Sequence, residues 1–323
     1  MGADLITGAS GFIGRHLKGT LLEGGRDVVA ICRPSSPEPE AGRSVRVNYA
    51  DVDALTEVMK SERPERIFHV AGATKGVTYD DFRRANVMPT ENLVAALARA
   101  EHTPRRFVLV SSLAAYGPSS EERPKHESDE PAPIEHYGKS KLEAEQVLAG
   151  AKIPYTILRP GGVYGPGDVD YFELFKQAEK GWSVFFGNRD RWFSGVYVDD
   201  LVEATLVAAD HDKAVDRGYF ICDGVPITWQ SFQRTISEVS GKKVREVDLP
   251  EALVSIAAWG GELLSSIDKK PRLFNRQKAL MGKQIAWTCT HKRAREDFGY
   301  VPKVDVEEGA RLALDWYRDN GWV

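Results

Sequence analysis

The sequence predicts an α/β fold, a mainly parallel sheet covered by helices on both faces, and three observations point there. Short apolar runs alternate with helical patterns from Leu5 through Leu158, the order that parallel strands joined by helical crossovers produce. The run Val28–Cys32 is apolar throughout, as a strand buried on both faces is. Gly8, Gly11 and Gly14 fall where the first strand hands over to the first helix. With 323 residues, 42% hydrophobic and 28% charged, the chain can bury a full core as one large domain or two smaller ones.

The first strand ends at Thr7, and the helix after it runs to about Gly24. Side chains at Gly8, Gly11 or Gly14 would block a dinucleotide pyrophosphate from the helix N-terminus, or keep the helix off the strand. Asp27–Arg33 is the second strand, closed by Pro34. At its end an acid would bind the ribose 2′-hydroxyl of NAD, whereas Arg33 suits the 2′-phosphate of NADP. The next strand, Val45–Tyr49, leads to Asp51 and Val52, placed to flank the adenine. Arg66–Gly72 is a fourth strand whose small end passes close to the cofactor, with His69 as a hydrogen-bonded core residue. Residues 80–100 read as one helix with Leu93, Val94, Leu97 and Ala98 inward. Arg106–Ser112 is a strand ending in two hydroxyls, and Pro118–Pro133 is a surface loop beside the site.

Composition excludes several classes. A formal net charge of −4 and the lack of any Lys/Arg run give no footprint for nucleic acid. Cys32, Cys222 and Cys289 are too far apart for a disulfide framework or a metal site. They fit a reducing cytoplasm. The first strand begins almost at Met1, which argues against a signal peptide, and no apolar run has the length of a membrane span. The expected partner is a small molecule.

His136–Lys141 opens a helix on which Tyr137 and Lys141, four residues apart, share a face. A tyrosine transfers protons near neutral pH when its phenolate is favoured, which a neighbouring ammonium and an oxidised nicotinamide would do. Ser112 would then orient the substrate oxygen.

TGASGFIG, Asp51-Val52, HVAG, Asn86-Val87, VSSLAAYG, YGKSK, LRPGGVYGP and YVDDLVEA together resemble the extended short-chain dehydrogenase/reductase family, also called the NAD-dependent epimerase/dehydratase family. The resemblance covers nearly the whole chain. It implies a Rossmann-type domain over residues 1–160, to which 195–223 return, and a smaller discontinuous substrate domain over 161–194 and 224–323. It implies a Ser112-Tyr137-Lys141 triad. The cofactor contacts it carries over are Gly8, Ser10, Gly11, Phe12, Ile13, Gly14, Arg33, Asp51, Val52, Ala71, Gly72, Ala73, Ser111, Tyr137, Lys141, Pro160 and Val163. Family members commonly dimerise through the helices placed here at 86–100 and 137–149.

Departures from the subgroups narrow the chemistry. Gly162 and Phe193 stand where sugar-nucleotide epimerases carry an asparagine and an arginine for the diphosphate, although Arg189 and Arg191 are close enough in sequence to substitute. Leu113-Ala114 stand where the 4,6-dehydratases carry Asp-Glu. The chain is most similar to the dihydroflavonol-reductase and 3β-hydroxysteroid-dehydrogenase side, in which ketones and secondary alcohols are interconverted. Tyr164, Phe193 and Tyr171 lie near motifs that border the pocket there. Toward the C-terminus, Val225–Val239 reads as a helix. Leu253, Ile256, Ala257, Leu263, Leu264 and Ile267, near Trp259 and Gly260-Gly261, give an amphipathic helix that is either domain core or a lipid-contacting lid. Residues 274–287 complete a pocket wall, and Trp316, Tyr317 and Trp322 are packing residues. The expected activity is an NADP-dependent oxidoreductase, NAD being possible, acting on a fairly apolar ketone such as an oxo-lipid. The alternatives are a sugar-nucleotide epimerase holding NAD tightly and a dinucleotide-sensing protein without turnover.

Overall fold

The structure, a computed structural model, describes residues 2–36, 41–250 and 280–323. Seven strands form a parallel sheet. β1 (Asp4–Thr7) is buried along its length and pairs with β2 (Val28–Cys32) on one side and β4 (Arg66–His69) on the other. β2 carries β3 (Arg43–Arg46), and β4 is followed outward by β5 (Arg106–Val110), β6 (Tyr155–Pro160) and β11 (Arg217–Ile221). The order therefore reverses between β1 and β4. In an open parallel sheet that is where the strand ends leave a crevice for a ligand.

Helices cover both faces. On one side α2 (Val52–Glu62), α4 (Met88–Arg99) and α5 (His136–Ala149) bury Leu55, Leu93, Leu97 and Leu148 against Leu5, Ile67 and Phe107. On the other, α1 (Phe12–Glu23) and α7 (Val198–Asp210) bury Leu17, Leu21, Leu201 and Val202 against Ile6, Phe68 and Tyr219.

Several boundaries differ from the sequence reading, each for a local reason. The third strand is β3, not Val45–Tyr49, because the Asn48 side chain accepts from Ala50 N and its carbonyl from Asp51 N, turning the chain. β4 stops at His69 because the Ala71 amide turns to Thr7 Oγ1 instead of the ladder. The helix expected over 80–100 is three pieces: α3 (Tyr79–Phe82), a π-turn (Arg83–Val87) and α4. Pro89 cannot donate to the preceding turn, and Met88 N bonds back to Arg83 O in the wider register.

After Pro160 the chain builds a second layer. β7 (Gly162–Tyr164) pairs with β10 (Gly195–Tyr197), β8 (Trp182–Phe186) with β13 (Arg245–Leu249), and β9 (Trp192–Phe193) lies between β12 (Ile227–Thr228) and β14 (Ala286–Trp287). Their core, with α6 (Phe172–Glu179), α8 (Trp229–Ser240) and α10 (Val306–Asp319), is aromatic: Tyr164, Phe175, Phe193, Phe232 and Tyr317, with Trp316 and Trp322 packed on it. α8 starts at Trp229, later than Val225, because Thr228 caps it through Ser231 N. Within 195–223, α7 and β11 lie on the main sheet. So does α9 (Lys292–Phe298), whose Ala294 and Phe298 pack beside Tyr219, although its residues fall in the stretch assigned to the second domain. The amphipathic pattern from Leu253 to Ile267 and the first part of the predicted pocket wall, 274–279, lie outside the described residues. Among the described residues no helix is long and apolar enough to cross a membrane, and no cluster of His, Cys, Asp and Glu could hold a metal.

Candidate active site

The glycine turn sits at the reversal in strand order, and its packing shows why glycine is required. Gly8 has φ +74° and its backbone runs against Ala71, whose N would lie 2.7 Å from a Cβ. A Cβ at Gly14 would lie 2.0 Å from Gly8 O, so α1 sits directly on the turn. Gly11 is the N-cap of α1 and brings no side chain, and no acid occupies the first helical turn. Ser10 and Gly11 are exposed, and Phe12 and Ile13 half-buried. The positive end of a 12-residue helix thus faces open space at a backbone-lined cradle, which fits a dinucleotide pyrophosphate.

Behind the cradle lies a buried polar chain. Thr7 Oγ1 accepts from Ala71 N at 3.1 Å and bonds His69 Nδ1 at 2.7 Å, and His69 Nε2 bonds Thr90 Oγ1 at 3.1 Å. Burial, then the Lys141 charge, pushes the His69 pKa down to about 3, so the ring is a neutral connector, as its place in an apolar run suggested. Asn86, in the π-turn, accepts from Ala73 N at 2.7 Å and donates to Ala73 O and to Ser140 Oγ. It ties residues 71–73 to α5.

The triad residues come together. Glu135 caps α5, accepting from Tyr137 N and Gly138 N at 2.6 Å each. A Cβ at Gly138 would meet Ala114 O at 2.2 Å, so α5 starts in close contact with the turn after Ser112. There Ser112 Oγ accepts from Ala114 N at 3.1 Å, with its side chain close enough to the Tyr137 phenol to act on it. Burial pushes that phenol up to about 12, with Ser112 acting the other way. Lys141 differs from the sequence reading. Its ammonium donates to Val110 O at 2.7 Å, at the end of β5, and burial lowers it to about 8 against the pull of Glu145. Tyr137 is thus held in its neutral form by its surroundings.

The remaining expected contacts spread along the same edge. Arg33 is exposed just beyond β2, and the Arg46 guanidinium holds the carbonyls of Arg33, Pro34 and Ser36 at 3.5, 3.2 and 2.8 Å. Asp51 accepts from Ala54 N at 2.9 Å as the cap of α2, which Val52 begins. The Ser111 hydroxyl is bonded to Glu145. Pro160 ends β6, and Val163, in β7, packs against the same buried core as Ile13. Tyr164 and Phe193, expected to touch substrate, are 1% and 5% exposed in the aromatic core, Phe193 stacked 4.6 Å from Trp229. The Tyr171 phenol, by contrast, lies over Gly162, 2.1 Å from where a Cβ would be. Arg189, offered as a diphosphate ligand, is bound to Glu246 and Asp248 and lies over Phe185. Glu135, Gly138 and Glu145 escaped the sequence reading. Only their place inside or beside the YGKSK stretch could have flagged them.

Comparison with known proteins agrees with this geometry. The model of the NAD dependent epimerase/dehydratase family matches residues 5–222. A ceramide reductase of Caulobacter vibrioides is 30% identical over 100% of this chain and 96% of its own length. A 2-alkyl-3-oxoalkanoate reductase of Stenotrophomonas maltophilia is 30% identical over 95% and 97%. The crystal structure of a UDP-glucose 4-epimerase from Thermotoga maritima superposes with a TM-score of 0.81, covering 98% of this chain and 99% of that one at 24% identity, a likeness of fold. The chain belongs to the NAD-dependent epimerase/dehydratase family, the extended short-chain dehydrogenase/reductases, and is an NAD(P)-dependent enzyme.

Proposed function

We propose that the protein is an NADP-dependent oxidoreductase that interconverts a ketone and a secondary alcohol on a fairly apolar small molecule. The observation that carries this reading is the seating of α5 on the end of β5, Gly138 against Ala114 O and the Lys141 ammonium on Val110 O, which brings Ser112, Tyr137 and Lys141 together. When bound on the Gly8–Gly14 turn, NADP supplies the hydride-carrying carbon. Tyr137 then passes its proton at the phenol oxygen to the developing alkoxide, and Ser112 holds that oxygen. Lys141 supplies positive charge beneath the site. Arg33, exposed beyond β2, would take the 2′-phosphate. The two reductase relatives support an apolar oxo substrate, such as an oxo-sphingolipid. By the resemblance, a cytoplasmic homodimer would form through α4 and α5.

The test is Tyr137→Phe. Turnover of an aliphatic ketone panel should fall by about 10²-fold or more while NADP binding is kept; full activity in the variant defeats the reading. The alternative, a sugar-nucleotide epimerase, has less support. Tyr171 fills the space where an asparagine would stand, and Arg189 is occupied by two carboxylates. A reductase exchanges its cofactor at each turnover, whereas such an epimerase would purify with NAD retained.

A further inference from the structure

Two successive residues at the end of β5 each hold one of two residues a turn apart on α5, and the next lies beside a third. Val110 O accepts from the Lys141 ammonium, the Ser111 hydroxyl bonds Glu145, and Ser112 stands close to Tyr137. Tyr137, Lys141 and Glu145 stand at i, i+4 and i+8, on one helical face. The first two belong to the reaction described above; the third has no role in it. Glu145 is 4% exposed, and a carboxylate so deep survives only if it is paired. Arg159 pairs it, Nε reaching both oxygens at 3.0 Å and Nη2 reaching Oε2 at 2.7 Å. The Arg159 guanidinium in turn lies 4.5 Å from the centre of the Tyr116 ring, in the turn that Ser112 begins. Both Glu145 oxygens are thus engaged, and the carboxylate is poorly placed to move a proton itself.

We propose that Glu145 is a positioning residue: fastened to Ser111 and Arg159, it keeps the buried Lys141 charged and locks the strand end that presents Ser112 to Tyr137. This rests on the proposed reading of the triad. The groups packed around Lys141 leave that task to Glu145. His69, from β4, is neutral in its buried chain. Tyr137, on the same helix, is a neutral phenol. Arg159, from β6, is a like charge neutralised by Glu145 itself. Burial lowers Lys141, and Glu145 is the group that opposes it.

The test reads the charge directly. Lysine side-chain 15N NMR on the intact protein, free of cofactor, follows the Lys141 titration, which stands near 8 in the native chain. Glu145→Gln keeps the shape but leaves Arg159 uncompensated, and should move the titration down by about one pH unit, a tenfold change, or more. Arg159→Met leaves the carboxylate uncompensated and should move it up. The double variant, which lacks both charges, should lie between the two single variants and below the native value. Opposite movements are what a packing role would not produce. Where Glu145→Gln does not fold, the sign in Arg159→Met decides. No movement, or movement in the same direction in both single variants, overturns the proposal. Retained turnover in Tyr137→Phe would defeat the assigned reaction without touching this result.

Discussion

Burial raises the Tyr137 phenol to about 12, away from the neutral range in which the proposed reaction exchanges its proton. A positive charge close to the phenol would favour the phenolate and bring it back. Arg33 makes the second residue-scale prediction. Arg33→Ser should raise the KM for NADP by about tenfold, roughly 1.4 kcal/mol, and leave that for NAD nearly unchanged; equal changes for both cofactors would remove the residue from phosphate recognition. Ser112, Tyr137 and Lys141 were legible because a strand end and an i, i+4 spacing are local patterns. What Lys141 binds was not, because Val110 O is 31 residues away in sequence and accepts through the backbone, which spacing does not reveal. Tyr164 and Phe193 lie buried in the aromatic core, which spacing did not reveal: an aromatic side chain next to a motif looks the same whether it faces a pocket or packs under one.

Among the elements, α5 is set by contacts at its first turn. Gly138→Ala would push a methyl to 2.2 Å from the Ala114 carbonyl, which is backbone and cannot swing away. The helix would have to lift off the Ser112 turn. The expected loss is about 1–3 kcal/mol of stability, seen in urea unfolding, together with most turnover; a variant as stable and active as the native chain would show that the contact relaxes freely. Strand order and helix faces were readable because buried parallel strands are apolar throughout. The break at Arg83–Val87 was not, since periodicity averages over a shifted register, although Pro89 was its signal.

At the scale of the whole molecule, the polar chain behind the cradle makes folding sensitive to acid. His69 has a folded pKa pushed down by burial to about 3 from its ordinary 6.5. Between those values the unfolded chain binds a proton that the folded chain refuses, so its contribution to stability is full above pH 6.5 and is lost as pH falls toward 3. The slope reaches about 1.4 kcal/mol per pH unit. Asp168, raised by burial to about 6, pulls the other way between 3.8 and 6. The His69 part is isolated by comparison with His69→Gln, whose urea midpoint should decline less steeply below pH 6.5; parallel declines would refute it. The sequence placed His69 in the core, but its hydrogen-bond partners, Thr7 and Thr90, come from two other elements.

The loop between Pro118 and Pro133 lies at the surface, as expected, yet it is stitched to chain that comes much later. Ser119 N donates to Ala286 O at 3.0 Å, Lys125 N to Thr288 O at 2.9 Å, and Thr290 N returns to Lys125 O at 3.0 Å. This segment joins the end of β5 to the start of α5, and so leads from Ser112 to Tyr137. During synthesis on the ribosome, the stretch that must settle before the triad is held rigid therefore waits for partners made more than 160 residues afterwards. A nascent chain can assemble its seven-stranded sheet once β11 has emerged, but it completes these stitches, and with them the site, only when residues 286–290 arrive.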